Sequence, residues 1–135
     1  MKTDIIELAN AGHQPALLKQ GKNFIEFPSS STPLAVVKHK NANAYKLESF
    51  KLDGGRVYCF TDGFSECLDE NKNEIGIDGV KDLLTVHQNQ SLKKELDKST
   101  EEIRIKSLKK NYKETGIKSN NNILEDDLTI IGIGK

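Results

Sequence analysis

The chain has 135 residues, which fits one domain with one modest core. Lysine and arginine together number 20, as do aspartate and glutamate, so the formal net charge of zero gives no electrostatic reason to expect nucleic acid or an anionic membrane as a partner. No stretch reaches the ~18 apolar residues of a membrane span, and the N-terminus lacks a signal-peptide core. We therefore expect a soluble, cytoplasmic protein whose two cysteines are reduced thiols.

Apolar and β-branched runs separated by turn residues predict a mainly β first half and one further strand at the end. The turn at residues 20–23 predicts a hairpin, residues 28–33 predict a loop, and Asp53-Gly54-Gly55 is expected to turn the chain back. The resulting sheet should be mostly antiparallel. The predicted strands cover residues 5–11, 15–19, 24–27, 45–52, 57–60 and the segment after residue 127.

Helical periodicity predicts a short helix from about residue 78 to residue 87 and a longer one from residue 91 to about residue 112. The many Lys and Glu residues of the longer helix indicate a solvated face. We see no internal repeat and no domain boundary, so we expect a single domain over residues 1–135. The apolar sides of the two helices are predicted to hold Val80, Leu83, Leu84 and His87 in the first, and Leu92, Leu96, Ile103 and Leu108 in the second.

A carboxylate stands where one predicted strand ends. Asp62 follows the apolar run 57–60, and Gly63 lets the chain turn sharply there. Glu66 comes four residues later, so a helical turn would bring both carboxylates to the same side. Rigid carboxylates at a strand end suit a hard divalent cation. The alternative is an Asp-Gly turn with a surface glutamate and no ligand.

A second pair of acids, Asp126 and Asp127, precedes the final strand. If that strand pairs antiparallel with the one before Asp62, Asp62 and Asp126 converge at one edge of the sheet. Two like charges there are unfavourable unless a cation or a proton compensates them. Bound Mg²⁺ or Mn²⁺ would do so and could activate a water for attack on phosphorus. The alternative is that both residues are loop acids without a ligand.

A calcium loop is rejected, and other site patterns have no support in the sequence. Asp69, Asn71 and Asn73 occupy positions one, three and five of a calcium loop, but Glu74 stands where glycine is required and Val80 where a bidentate glutamate belongs. No histidine pair has zinc-ligand spacing, Ser65 has no histidine partner in sequence, and no glycine-rich loop precedes a helix.

Four short motifs occur in an order that resembles a known family. Together they resemble the C-terminal part of the PPM-type metal-dependent serine/threonine phosphatase domain, in its SpoIIE/RsbU-like bacterial branch. The resemblance implies an α+β fold in which an antiparallel β-sandwich is flanked by helices in α-β-β-α layers, with the N-terminal part missing. The motifs are Ala9-Asn10-Ala11-Gly12-His13-Gln14-Pro15, Pro33-Leu34, Phe60-Thr61-Asp62-Gly63-Phe64-Ser65-Glu66 and Asp126-Asp127-Leu128-Thr129.

The same resemblance implies hydrolysis of phosphoserine or phosphothreonine on a protein by a water bridged by two Mn²⁺ or Mg²⁺ ions. Small anti-anti-sigma regulatory domains are the usual substrates of that branch. No side-chain nucleophile is implied. Asp62 and Asp126 match metal-ligand positions, Glu66 matches a position near the metal cluster, and Asp127 and His13 match motif positions with supporting roles.

The sequence departs from the family pattern at its start. The family's Gly-Asp motif donates a further metal-binding aspartate. Here the only acidic residues before His13 are Asp4 and Glu7, and neither lies in such a motif. We therefore expect either a truncated phosphatase domain that binds its cations weakly, or a non-catalytic relative that binds an anti-anti-sigma-type partner. Absent front strands also predict self-association, or pairing with a separate chain, through an exposed sheet edge.

Overall fold

The computed structural model describes residues 4–33, 36, 45–69, 71, 73–115 and 127–134, with side chains of the last helix described as far as residue 106. The chain forms two compact units, one of Met1–Cys59 with Gly132–Lys135 and one of Phe60–Ile131. The single domain predicted over residues 1–135 stays a prediction. In chain order the elements are β1 (Ile5–Leu8), β2 (Ala16–Gln20), β3 (Asn23–Phe27), β4 (Glu48–Lys51), β5 (Arg56–Phe60), α1 (Asp62–Ser65), α2 (Gly76–Val86), α3 (Leu92–Thr115) and β6 (Ile130–Ile133).

The predicted hairpin is formed by β2 and β3. Gln20 pairs with Asn23 across a two-residue turn, and the ladder runs on to the pair Ala16 and Phe27. Gly21 begins that turn with a φ of 61°, a left-handed conformation that glycine adopts without a Cβ clash. The hairpin predicted from these turn residues is therefore present, and its two-residue turn sets the register of the two strands.

The described strands form two sheets, one with the order β3-β2-β5-β6 and one with the order β1-β4. The pairs β1–β4, β2–β3 and β2–β5 are antiparallel. β5 and β6 also run in opposite directions, because Thr61 bonds Thr129 beyond one end while Gly134 lies against Arg56 at the other. The predicted antiparallel arrangement is confirmed.

The predicted turn at Asp53-Gly54-Gly55 is present, but it joins strands of different sheets. β4 pairs with β1, whereas β5 pairs with β2. A Cβ on Gly55 would lie 2.5 Å from the carbonyl oxygen of Lys19, so only glycine lets the chain pass this close to β2. The turn thus carries the chain from one sheet to the other.

The core of the first unit lies between the two sheets. Leu8 of β1 and Phe50 of β4 pack against it from the two-stranded sheet. The rings of Phe27 and Phe50 stack with their centroids 4.4 Å apart and their planes at 18°. The two sheets therefore face each other, which confirms the predicted sandwich. The buried residues of this core are Ala16, Leu18, Phe27 and Val57.

Both cysteines are free thiols, as predicted. Cys59 packs against the core of the first unit, and burial raises the pKa of its thiol, which favours the neutral form. Cys67 is buried in the second unit.

The second unit contains the three helices. α2 begins two residues before its predicted start, and Val80, Leu83 and Leu84 are its buried residues, as the periodicity predicted. His87 follows its last turn, with Nε2 3.2 Å from a carboxylate oxygen of Glu102 on α3. Among the described residues, no helix combines the length and the apolar content that a membrane span needs.

Of the residues predicted for the buried side of α3, Ile103 is buried, but two of the leucines are not fully buried. Glu95, Ser99 and Ile103 are fully buried, whereas Leu92 and Leu96 are half-buried. The side chain of the fourth predicted residue, at position 108, lies outside the described residues. Residues four apart share one stripe of a helix, so the packed stripe is rotated away from the leucines. A helix with so few apolar residues has only a weak sequence signal for which of its faces is buried.

Candidate functional site

The acidic turn after β5 is built from the backbone of one helical turn. The N–H of Glu66 donates to the carbonyl of Asp62 at 2.8 Å, and the Ser65 hydroxyl donates to the same carbonyl at 3.0 Å. The N–H of Gly63 donates to the Asp62 carboxylate at 3.1 Å. Asp62 and Glu66 stand one at each end of this turn, and both are exposed. The helical turn predicted to carry the two carboxylates is therefore present.

Thr61 joins this turn to the segment before β6. Its backbone N–H donates to the carbonyl of Thr129 at 3.0 Å, and its hydroxyl donates to the carbonyl of Asp127 at 2.6 Å. The same hydroxyl oxygen accepts the N–H of Thr129 at 3.0 Å. The chain at Asp127 is thus held beside the residue that precedes Asp62.

No sequence pattern predicted a role for Thr61. A hydroxyl has one donor and two acceptor sites, so one side chain can bond both a carbonyl and an N–H of a neighbouring strand. The available signal was its place in the motif, directly before Asp62 at the end of a strand. Asp126, the second predicted metal ligand, lies outside the described residues, and its convergence with Asp62 stays a prediction.

The described residues do not by themselves fit a metal centre. In the part of the chain that the structure describes, no group of three His, Cys, Asp or Glu residues could hold an ion. Asp62 could still serve as a metal ligand. Its carboxylate accepts the N–H of the next residue, Gly63, and has further acceptor sites. Asp127 is exposed. A complete ligand set would need residues beyond these two.

Asp69, from the rejected calcium loop, is used differently. One of its carboxylate oxygens accepts the N–H groups of Asn71 and Asn73, at 2.8 and 2.9 Å. Leu68 and Glu74 form a bridge that closes the same loop. The carboxylate of Asp69 therefore shapes its own loop.

His13 lies in the first unit, in the connection between β1 and β2. Its side chain is exposed, and its Nδ1 lies 3.2 Å from the carbonyl oxygen of Gln14. The Asn10 side chain bonds the backbone of this connection twice, at Gln14 and His13, and it also donates to the carbonyl of Phe27 in β3. The supporting role that the resemblance implies for His13 stays a prediction.

The fold is similar to solved structures of phosphatase domains. The SiaA-PP2C domain of Pseudomonas aeruginosa matches with a TM-score of 0.71 and 17% identity, over 99% of this chain and 48% of that one. The SpoIIE phosphatase domain of Bacillus subtilis, presoaked with Mn, matches with a TM-score of 0.63 and 16% identity, over 98% of this chain and 51% of that one. The RsbU and RsbW domains of a Mycobacterium tuberculosis protein match with a TM-score of 0.58 and 18% identity, over 97% of this chain and 32% of that one. The chain thus spans about half of these structures or less.

A comparison with curated proteins found no match. The sequence profile of the Stage II sporulation protein E (SpoIIE) family, however, matches residues 1–134. This match covers nearly the whole chain, and the fold of the described residues agrees with it. The chain therefore belongs to the SpoIIE family, and it shares its fold with these phosphatase-domain structures.

Proposed function

We propose that this chain is part of a metal-dependent protein phosphatase that hydrolyses phosphoserine or phosphothreonine. The observation that carries the proposal is the bonding of Thr61 to the Asp127–Thr129 segment, which holds that segment beside the start of the Asp62 turn. The phosphatase domains among the similar solved structures support the reaction class.

In this proposal Asp62 and Asp126 are ligands of Mn²⁺ or Mg²⁺, with Glu66 close to the site. When bound, the ions supply a water activated for attack on phosphorus. Thr61 keeps Asp62 in place, because it fixes the backbone where β5 ends and α1 begins. Asp127 and His13 have supporting roles. Manganese is the first ion to test, since the Bacillus subtilis domain was solved after presoaking with Mn.

The proposed substrate is a phosphorylated regulatory protein of the anti-anti-sigma type, in the cytoplasm. The likeness to RsbU and RsbW domains and to a SiaA domain supports a regulatory phosphoprotein as the substrate class. Neither nucleic acid nor a membrane is part of the proposal, in keeping with the zero net charge.

We also propose that the chain self-associates through the edge of β6. Among the described strands, β6 stands at one end of its sheet, and Ile131 and Ile133 are 59% and 50% exposed. The strand carries neither the charges nor the proline that protect edge strands. Analytical ultracentrifugation should detect a dimer that Ile131→Lys dissociates, and a wild-type monomer at all concentrations would contradict self-association.

The test of the phosphatase is hydrolysis of p-nitrophenyl phosphate and of phosphorylated casein by the purified chain during a titration with Mn²⁺ or Mg²⁺. Activity should require the metal, and Asp62→Asn should lower it by about 100-fold or more. Asp69→Asn is the matched control, because it alters an aspartate of the same unit that bonds its own loop. Its activity should stay within about twofold of the wild type.

Metal-independent activity, or full activity of Asp62→Asn, would contradict the proposal. Circular dichroism of each variant separates lost chemistry from lost folding. A folded wild-type chain without activity at any metal concentration would favour the alternative, a non-catalytic phosphatase-like module that binds an anti-anti-sigma-type partner.

A further inference from the structure

The chain contains three Asp-Gly pairs, namely Asp53-Gly54, Asp62-Gly63 and Asp78-Gly79. In such a pair the backbone nitrogen of the glycine can attack the side-chain carbonyl carbon of the aspartate, because glycine has no Cβ that hinders the approach. By local sequence the three pairs are equivalent. Their backbones differ, so the structure decides which pair can react.

Asp53 and Gly54 form the exposed tip of the turn between β4 and β5. The N–H of Gly55 donates to the carbonyl of Leu52 at 2.7 Å, and the N–H of Gly54 takes no part in this closing bond. φ is 46° at Asp53 and 74° at Gly54, and two positive values are what a type I′ turn requires. Apart from its chain neighbours, nothing lies within 4 Å of the place that a Cβ on Gly54 would take. Water therefore reaches both reacting groups of this pair.

The other two pairs are held in helices. Gly63 is buried in α1, and its N–H donates to the Asp62 carboxylate at 3.1 Å. As a donor the Gly63 nitrogen keeps its proton, which it must lose before it can attack carbon. In α2 the N–H of Gly79 donates to the carbonyl of Ile75 at 3.0 Å. Opening a packed helical turn costs more free energy than opening an exposed turn tip.

We propose that Asp53 is a site of spontaneous modification, at which the folded chain forms isoaspartate while Asp62 and Asp78 stay intact. The Gly54 nitrogen bonds to Cγ of the Asp53 carboxylic acid, the nitrogen loses its proton, and the acid hydroxyl leaves as water. Water then adds to the main-chain carbonyl carbon of Asp53 in the resulting cyclic imide, and the bond from that carbon to the Gly54 nitrogen breaks. The chain now continues through Cβ and Cγ of residue 53. One water is lost and one is gained, so no other reactant is needed and the mass is unchanged.

The turn has fixed ends, so it cannot accept a longer main chain without a change. Isoaspartate adds one methylene to the backbone at the tip. On one side, Leu52 packs against the core of the first unit, and its N–H donates to the carbonyl of Asp4 at 2.8 Å. On the other side, Gly55 passes so close to β2 that a Cβ on it would lie 2.5 Å from the carbonyl oxygen of Lys19. The modified turn must break its closing bond or move one of these ends, and the modified chain is therefore less stable.

The site is tested by incubating the folded chain and the chain unfolded in urea side by side at mildly acidic pH. Peptide mapping, with isoaspartate labelled by an isoaspartyl methyltransferase, gives the rate at each Asp-Gly pair. Each rate in the folded chain is divided by the rate of the same pair in urea, which removes the effect of local sequence. This ratio should be at least about tenfold higher for Asp53 than for Asp62 or Asp78, because the exposed tip opens more easily.

Equal ratios at the three aspartates would overturn the proposal. So would a folded chain that stays unmodified at Asp53 while the unfolded chain reacts there. The test needs no enzymatic activity, so its outcome is independent of the proposed phosphatase function.

The effect on stability is tested with Asp53→Gly, which removes the reacting carboxyl and keeps a residue that readily adopts a positive φ. The incubated wild type should contain a population that melts at a lower temperature, in the same fraction as the isoaspartate. The incubated Asp53→Gly chain should melt like the fresh one. An unchanged melting temperature of the modified wild type, or an equal fall in Asp53→Gly, would overturn the effect of this site on the turn.

Discussion

Two aspartates of the second unit stand in tight turns, and their carboxylates have different tasks. Asp69 accepts two backbone N–H groups and thereby closes its loop. Asp62 accepts one, from the residue that follows it. The turn of Asp62 is closed instead at its carbonyl, which accepts the Glu66 N–H and the Ser65 hydroxyl. The number of N–H groups that a carboxylate accepts thus decides how much of it stays available for a ligand.

The largest effect on stability is expected at Thr61, whose hydroxyl joins the start of the Asp62 turn to the segment before β6. Thr61→Val keeps the shape of the side chain but removes the hydroxyl, which leaves the Asp127 carbonyl and the Thr129 N–H without that partner. We expect the free energy of unfolding, measured with urea, to fall by about 1–3 kcal/mol. Thr61→Ser keeps the hydroxyl and should lose less. A Thr61→Val chain as stable as the wild type would show that this hydroxyl does not hold the two segments together.

A direct comparison of the two aspartates should give a smaller effect. Asp69→Ala removes the acceptor for two N–H groups and should cost about 1 kcal/mol, whereas Asp62→Ala should cost less than about 0.5 kcal/mol. Mn²⁺ should raise the melting temperature of the wild type and of Asp69→Ala, but not of Asp62→Ala, because a ligand stabilises only the chain that binds it. Equal responses of both variants to Mn²⁺ would remove the distinction between the two turns.

The smallest effect concerns a carboxylate outside both turns. Burial raises the pKa of Glu102, but hydrogen bonds from Lys106 and His87 outweigh it, so the pKa lies below its usual value. A lowered folded-state pKa contributes stability above the unfolded-state pKa, and this contribution is lost as the pH falls through the folded-state value.

Glu102→Gln should therefore lower the free energy of unfolding at neutral pH by a few tenths of a kcal/mol at most, since this pair is partly exposed. Urea unfolding at a series of pH values should show the variant and the wild type converging in acid. A difference that grows as the pH falls would mean that folding raises the pKa of Glu102 instead of lowering it.

Local sequence patterns predicted the strands and helices well, but they predicted less well which of these pack or pair with each other. The hairpin at Gly21 and the buried face of α2 follow from turn chemistry and periodicity, which act over a few residues. The turn at Asp53-Gly54-Gly55 was predicted, but not that it joins two sheets, because the same turn residues suit a hairpin and a crossing between sheets. The buried face of α3 was predicted at Ile103 but not at Glu95 and Ser99, since packing overrode a weak apolar pattern.

The sequence by itself determined the strands, the two acidic segments and the order of motifs that identifies the SpoIIE family, because these depend on neighbouring residues and on their order. Only the tertiary structure decided that β5 lies beside β6 and that Thr61 connects them. A hydrogen bond between residues 61 and 127 requires the backbone between them to return to the same place. That return is a property of the packed sheet and leaves no mark on the residues around either position.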